Sequence, residues 1–127
     1  MARKIYYKVL DRRALTSCTT HLKYTEKQWT TPTISGSKLA VFATLQDAKE
    51  FTHSNTIIYK CYVKNPIKPY KYRSGLSNSY HIYWDVVAAA RKRKKNITAA
   101  LDKAGYYYAW PNNTILCNAV MLLKPIL

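Results

Sequence analysis

The same order of residues, Lys-x-Tyr-x-Lys, occurs at positions 4–8 and again at positions 60–64. In a β-strand, side chains two positions apart share one face, so each segment is predicted to project a cation, an aromatic ring and a second cation outward. Proteins that bind single-stranded nucleic acid use this combination, because rings stack on bases and cations neutralise phosphates. If the two strands are neighbours, we expect one continuous basic surface. Its predicted binding residues are Lys4, Tyr6, Lys8, Lys60, Tyr62 and Lys64.

A second tract of mixed cations and tyrosines follows at positions 68–73 and contains no acidic residue. We predict that it extends the nucleic-acid surface, with stacking from its rings and phosphate contacts from its cations. Tyrosines also suit half-buried strands, so a purely structural role for these rings remains an open alternative. The predicted binding residues of this tract are Lys68, Tyr70, Lys71, Tyr72 and Arg73.

The densest charge in the chain is a run of five consecutive cations, Arg91, Lys92, Arg93, Lys94 and Lys95. We predict that this run lies within one helix over residues 85–104. Five residues exceed one helical turn, so Lys94 would fall on the apolar stripe between Ala90 and Ile97. Its stem could cross the edge of the core, or this part of the helix could lie against phosphate. The run is also typical of a nuclear localisation signal, of a contact with an acidic protein, or of a solvated helix face.

The overall charge indicates a polyanionic partner. The chain of 127 residues has 21 Lys plus Arg but six acids, which gives a formal charge of +15. Such self-repulsion slightly destabilises a compact state, so it favours a use in binding nucleic acid, although a merely basic protein remains the alternative. Hydrophobic residues make up 48% of the chain, which is too many for a disordered protein. We therefore expect a packed core in a single domain spanning residues 1–127.

The sequence contains no motif that indicates catalysis, and we predict a protein without enzymatic activity or a cofactor. There is no Gly-rich phosphate loop, GxSxG or HExxH motif. Cys18 and His21 form a lone C-x-x-H pair without a second half-site, so no metal site is predicted. Three scattered cysteines and the absence of a signal peptide or a long apolar segment predict an intracellular protein, in the cytoplasm or in the nucleus through residues 91–95.

Hydrophobic periodicity predicts an α+β fold, with a mainly antiparallel sheet of about five to six strands and two helices packed on it. Strands are expected over residues 2–10, 14–20, 39–43 and 56–64, and a terminal hairpin over residues 106–110 and 114–123. The first helix should follow Thr44, which resembles an N-cap, and stop near Asn55. The second should begin at Asp85 and end before Gly105. The residues 21–38 read as a long loop.

Together these observations predict a non-catalytic protein that binds RNA or single-stranded DNA in preference to a specific duplex sequence. The alternative is a small viral-type effector or assembly protein whose basic face docks on an acidic protein or a ribonucleoprotein. Membrane binding is not expected, because the predicted basic helix carries small apolar residues rather than bulky ones.

Overall fold

The structure is a computed structural model that describes residues 3–17, 22–33, 37–73, 80–106 and 108–126. Its strands are β1 (Tyr6–Asp11), β2 (Trp29–Thr30), β3 (Leu39–Phe42), β4 (Thr56–Lys64), β5 (Thr114–Cys117) and β6 (Ala119–Pro125). Its helices are α1 (Leu45–Phe51), α2 (Tyr80–Lys92) and α3 (Ile97–Lys103). The Cys18 and His21 pair and residues 18–20 of the predicted second strand lie outside the described residues.

The six strands form one sheet in the order β2-β6-β4-β1-β3-β5, and every neighbouring pair is antiparallel. The predicted α+β class with a mainly antiparallel sheet is therefore confirmed. The described residues contain three helices rather than two. None of these helices is long and apolar enough to cross a membrane.

The sheet curls, because two strands that are almost contiguous in sequence lie on opposite sides of the strand order. β5 lies at one end of the strand order and β6 lies near the other, yet only Asn118 separates them in sequence. The Asn118 amide donates to the Lys64 carbonyl at 2.9 Å, and Ile67 pairs with Leu116 beyond the end of β4. The segment after β4 thus bridges to β5, and the curled sheet encloses an inner face.

The inner face holds the largest cluster of buried apolar residues. It includes Tyr6 and Leu10 from β1, Tyr59 and Cys61 from β4, and Leu122 from β6. Burial raises the pKa of the Cys61 thiol to about 12, and burial likewise raises the pKa of the Cys117 thiol to about 11. Both inner-face thiols are therefore protonated at neutral pH.

Helices cover two parts of the outer face. Helix α1 packs Ala48 against Val9, Phe42 and Ile58, which come from β1, β3 and β4. Its start agrees with the prediction, because the Thr44 side chain accepts a hydrogen bond from the Asp47 amide. The helix ends at Phe51, four residues before the predicted stop at Asn55.

Helices α2 and α3 form the second part of the outer layer. Trp84, Val87 and Leu101 from these helices join Leu116 from β5 in one buried cluster, with Ala40 from β3 packed against it. Residues 108–110 form no strand, so the predicted terminal hairpin is wrong. Trp110 instead packs against the helical cluster and donates its indole N–H to the Tyr72 carbonyl at 3.0 Å. β2 lies within the residues predicted to be a long loop. Its two residues form a strand because they pair with the distant strand β6.

The single long helix predicted over residues 85–104 is also wrong. Lys94 has a φ of 55°, and the Lys95 amide donates to the Ala90 carbonyl at 2.8 Å. These features are the Schellman motif that ends a helix, with lysine at the position glycine usually occupies. Asn96 then caps α3, because its side chain accepts a hydrogen bond from the Ala99 amide at 2.9 Å. The predicted C-terminal role of Gly105 is confirmed by its φ of 93° after α3.

Candidate nucleic-acid interface

The outer face of β2, β6 and the second half of β4 carries the candidate interface. β4 alternates, so Ile58 lies beneath α1, whereas Lys60, Tyr62 and Lys64 share its face further along the strand. Lys60 and Lys64 are exposed, and Tyr62 is half-buried. The helical clusters are built on β1, β3, β5 and the first half of β4. The cations and the ring of β4 therefore lie beyond the packing of the helices.

Strand pairing brings a tryptophan beside this tyrosine. Met121 of β6 pairs with Trp29 on one side and with Tyr62 on the other, so the three side chains share the outer face. Trp29 is half-buried, as Tyr62 is. Two aromatic side chains thus lie on the same face of the sheet, separated by one strand.

Two cations lie over these rings. The guanidinium carbon of Arg3 is 5.9 Å from the centroid of the Trp29 ring and 5.2 Å from that of Tyr62. The ammonium nitrogen of Lys64 is 4.4 Å from the centroid of Trp29. These distances are within the range of cation–π attraction. We call the group of Arg3, Trp29, Tyr62 and Lys64 the Trp29–Tyr62 cluster.

No carboxylate belongs to the cluster, and the nearest acid in sequence to Trp29 is engaged elsewhere. Glu26 accepts a hydrogen bond from the Tyr59 hydroxyl at 2.6 Å, and Tyr59 belongs to the inner-face core. This hydrogen bond raises the pKa of Tyr59 to about 12. The cluster, together with the neighbouring Lys60, is therefore a positively charged and aromatic surface.

The prediction that the Lys-Tyr-Lys order of β1 also faces outward is wrong. Tyr6 is only 7% exposed and Lys8 only 8%. Lys8 donates to the Ala40 carbonyl at 2.7 Å and lies 5.4 Å from the centroid of the buried Tyr24 ring. Lys4 is exposed, with its ammonium 5.1 Å from the Tyr6 ring.

The pairing of β1 with β4 explains this result. Tyr6 lies opposite Cys61 and Lys8 lies opposite Tyr59, whereas Lys60 lies opposite Tyr7. Residues directly opposite each other in an antiparallel pair share one face. The two strands are neighbours, as the combined surface requires, but their Lys-Tyr-Lys residues point to opposite faces of the sheet.

The tract 68–73 runs along the helical layer, and its rings pack there. Tyr70 and Tyr72 are half-buried against the cluster of α2 and α3. Tyr70 lies edge-on to Trp84, and Tyr72 accepts the Tyr83 hydroxyl through its carbonyl. These contacts favour the structural alternative for both rings.

The cations of this tract are on or near the surface. Lys68 and Lys71 are exposed, and the Lys71 ammonium is 5.4 Å from the centroid of the Tyr72 ring. Arg73 is half-buried, with its guanidinium 4.9 Å from the centroid of the exposed Tyr108 ring. Arg73 also donates its Nε–H to the Ala109 carbonyl at 3.0 Å. This hydrogen bond and the ring contact orient Arg73.

The five cations at residues 91–95 are all exposed, and they occupy the end of α2 and the turn that follows. Arg91 donates to the Tyr70 hydroxyl, which ties the run to the preceding tract. The predicted conflict between Lys94 and the apolar stripe disappears, because Lys94 lies outside both helices. No aromatic ring is in cation–π contact with these five side chains among the contacts of the described residues.

Sequence reasoning missed Arg3 and Trp29, the residues that complete the aromatic surface. Trp29 lies in a strand of two residues, which is too short to produce a periodic signal. Arg3 lies four positions before Tyr7, the outer-face residue opposite Lys60, so strand alternation places both on the same face. The alternation of β1 could therefore have placed Arg3 correctly if the inner face had been assigned to Tyr6 and Leu10.

Comparison with protein-family models, with curated proteins and with solved structures finds no match for this chain. The described residues contain no group of three or more His, Cys, Asp or Glu side chains arranged to hold a metal ion.

Proposed function

We propose that this protein binds single-stranded nucleic acid on the outer face of β2, β6 and β4, without catalysing a reaction. The observation that carries the proposal is the Trp29–Tyr62 cluster, in which two rings share a sheet face with Arg3 over both of them. Each ring offers a surface on which a base can stack, whatever its sequence. Lys60 and Lys64 lie on the same face and can neutralise the phosphates.

The spacing of the two rings favours a single strand over a duplex. Trp29 and Tyr62 lie on strands separated by β6, and adjacent strands are about 4.8 Å apart. The strands that carry the rings are therefore roughly 10 Å apart, whereas stacked bases of one strand repeat every 3.4 Å or so. Bases held on both rings must be splayed apart, which a flexible single strand allows and a stacked duplex does not.

Arg3 fits the same mode of binding. A guanidinium plane can itself stack on a base, and its charge attracts the backbone. Because Arg3 is exposed and lies over both rings, it can remain beside a bound base or move to a phosphate. The cluster thus combines stacking surfaces with exposed positive charge in one place.

Tryptophan fluorescence can test this proposal directly, because stacking of a base on an indole ring quenches its emission. The protein is titrated with an unlabelled oligouridine, an oligodeoxythymidine and a duplex of the same length, over a series of salt concentrations. We expect quenching with both single strands, and an affinity that falls linearly on a log-log plot as salt rises. The duplex should bind more weakly and quench less.

Trp29→Phe provides the matched control, since phenylalanine keeps a ring for stacking but removes the reporter. This variant should still bind in an anisotropy assay with a labelled oligonucleotide, while most of the quenching is lost. Trp84 is fully buried and Trp110 packs half-buried against the helical cluster, away from the outer face of β2, β6 and β4, so both contribute a nearly constant background. Binding without quenching in the wild-type protein, or no binding at low salt, would contradict the proposal.

A further inference from the structure

An open groove lies between α2 and α3, on the side of the molecule formed by the helices. Its volume is about 610 Å³, within the range of pockets that hold drug-sized ligands, roughly 300–1,000 Å³. Small apolar side chains line it from both helices, including Ala89 and Ala90 from α2 and Ala99 and Ala100 from α3. Because methyl side chains are short, a partner can approach the two helix backbones closely.

The charged residues along the groove all have the same sign. Arg93 and Lys95 lie at the turn between the helices, and Lys103 lies at the end of α3. Among the described residues that line the groove, none is acidic. Of the run 91–95, Arg93 and Lys95 belong to the lining, whereas Arg91 donates a hydrogen bond to the Tyr70 hydroxyl. The groove therefore has an apolar floor and a cationic rim.

We propose that this groove binds an amphipathic helix with acidic flanks, presented by a partner protein. Helix-in-groove recognition buries an apolar face at positions i, i+3, i+4 and i+7 in such a groove. Acidic residues beside that face would meet the cationic rim at Arg93, Lys95 and Lys103, and complementary charge selects this partner over a basic helix. The site shares no residue with the Trp29–Tyr62 cluster, so this proposal does not depend on the proposed function.

The composition of the groove favours a peptide over a nucleic acid. The described residues of its lining are valine, alanine, asparagine and cations, and none of them carries an aromatic ring on which a base could stack. An apolar floor has no complementary group on a sugar-phosphate backbone. It does complement the leucine and methionine side chains of an amphipathic helix.

The test uses a fluorescein-labelled peptide of two heptads with leucine at the i, i+3, i+4 and i+7 positions and glutamate on both flanks. We expect saturable binding by anisotropy. A scrambled peptide of identical composition should bind at least about tenfold more weakly, because it cannot present one apolar face. A peptide with lysine in place of glutamate should not bind measurably.

Paired charge reversals distinguish the groove from general attraction. Arg93→Glu with Lys103→Glu should weaken binding of the acidic peptide by roughly tenfold or more, because contacts at both ends of the rim become repulsive. Lys71→Glu with Lys92→Glu changes the net charge equally at positions outside the lining, and it should leave the affinity within about threefold. Circular dichroism confirms that both variants keep their fold.

Three results would overturn the proposal. The first is equal binding of the designed and scrambled peptides, and the second is an equal loss in the two charge-reversed pairs. The third is a loss of oligouridine binding in the groove pair that clearly exceeds the loss in the Lys71→Glu, Lys92→Glu pair, which would assign the groove to nucleic acid. Failure of the oligonucleotide titration in the wild-type protein alone would leave the peptide result intact.

Discussion

The neighbouring strands β1 and β4 carry the same Lys-x-Tyr-x-Lys order, yet the two copies lie on opposite faces of the sheet. In β1, Tyr6 and Lys8 are buried on the inner face, and Lys8 donates to the Ala40 carbonyl. In β4, Tyr62 and the flanking lysines lie on the outer face beside Trp29. Because a shift of one residue moves every side chain to the other face, an identical pattern does not have an identical environment. Pairing decides which copy can meet a ligand.

The largest expected effect comes from removing both rings of the outer face. Trp29→Ala with Tyr62→Ala should weaken binding of single-stranded RNA by about 2–6 kcal/mol, since each stacked base contributes roughly 1–3 kcal/mol. The slope of log affinity against log salt should stay nearly unchanged, because no cation is removed. Anisotropy titrations at several salt concentrations measure both quantities. Tyr108→Ala, which removes an exposed tyrosine elsewhere, is the matched control; an equal loss in this control would show that stacking at the cluster is not responsible.

The two copies of the pattern can be separated by one alanine in each. Lys8→Ala should lower the free energy of unfolding by about 1–3 kcal/mol, because buried stem contacts and the hydrogen bond to Ala40 are lost. Lys60→Ala should change the free energy of unfolding by less than about 0.5 kcal/mol, but reduce the salt slope by about 0.7. Urea denaturation and salt-dependent titrations provide the two readouts. A change of the salt slope in Lys8→Ala but not in Lys60→Ala would contradict the assignment of the binding surface to β4.

The run 91–95 tests what charge contributes without adjacent rings. Replacing Arg91, Arg93 and Lys94 with Glu should lower the affinity for every oligonucleotide by roughly tenfold at low salt, because six units of charge change in the field of the protein. The difference should shrink as salt rises, since exposed charges are screened. Quenching of Trp29 at saturation should not change. A selective loss for one base composition would instead place this run in direct contact with bases.

The smallest expected effect concerns the two helix ends beside the groove. Lys94 and Gly105 follow α2 and α3 in the left-handed region, with φ of 55° and 93°. Lys94→Gly should raise the free energy of unfolding by about 1 kcal/mol, because glycine adopts this conformation without a side-chain clash. Gly105→Ala should lower it by a similar amount, purely through the backbone, since an added Cβ meets no atom of the described residues within 4 Å. Thermal unfolding should shift by about 4 °C in each direction. Equal melting temperatures for Lys94→Gly and the wild type would mean that the lysine side chain offsets the backbone cost.

Several features of the fold could be predicted from local sequence. Thr44 and Asp47 mark the start of α1, Gly105 marks the end of α3, and the alternation of β4 separates Tyr59 from Tyr62. Each of these signals depends on residues within a few positions of one another. The break between α2 and α3 was missed because Lys94 occupies a position where glycine is the usual signal, and the Asn96 cap was overlooked.

The sequence by itself determined the chemistry available to this protein: a surplus of cations, tyrosines interleaved with lysines, and a packed α+β domain. Only the tertiary structure decided which of these residues lie together. Trp29 lies on the same face as Tyr62 because both residues pair with Met121 of β6, and Lys8 lies on the buried face because it pairs with Tyr59 of β4. These pairings join residues about fifty to ninety positions apart. Local periodicity shows that a strand has two faces, but strand pairing and the packing of the helices determine which face is buried.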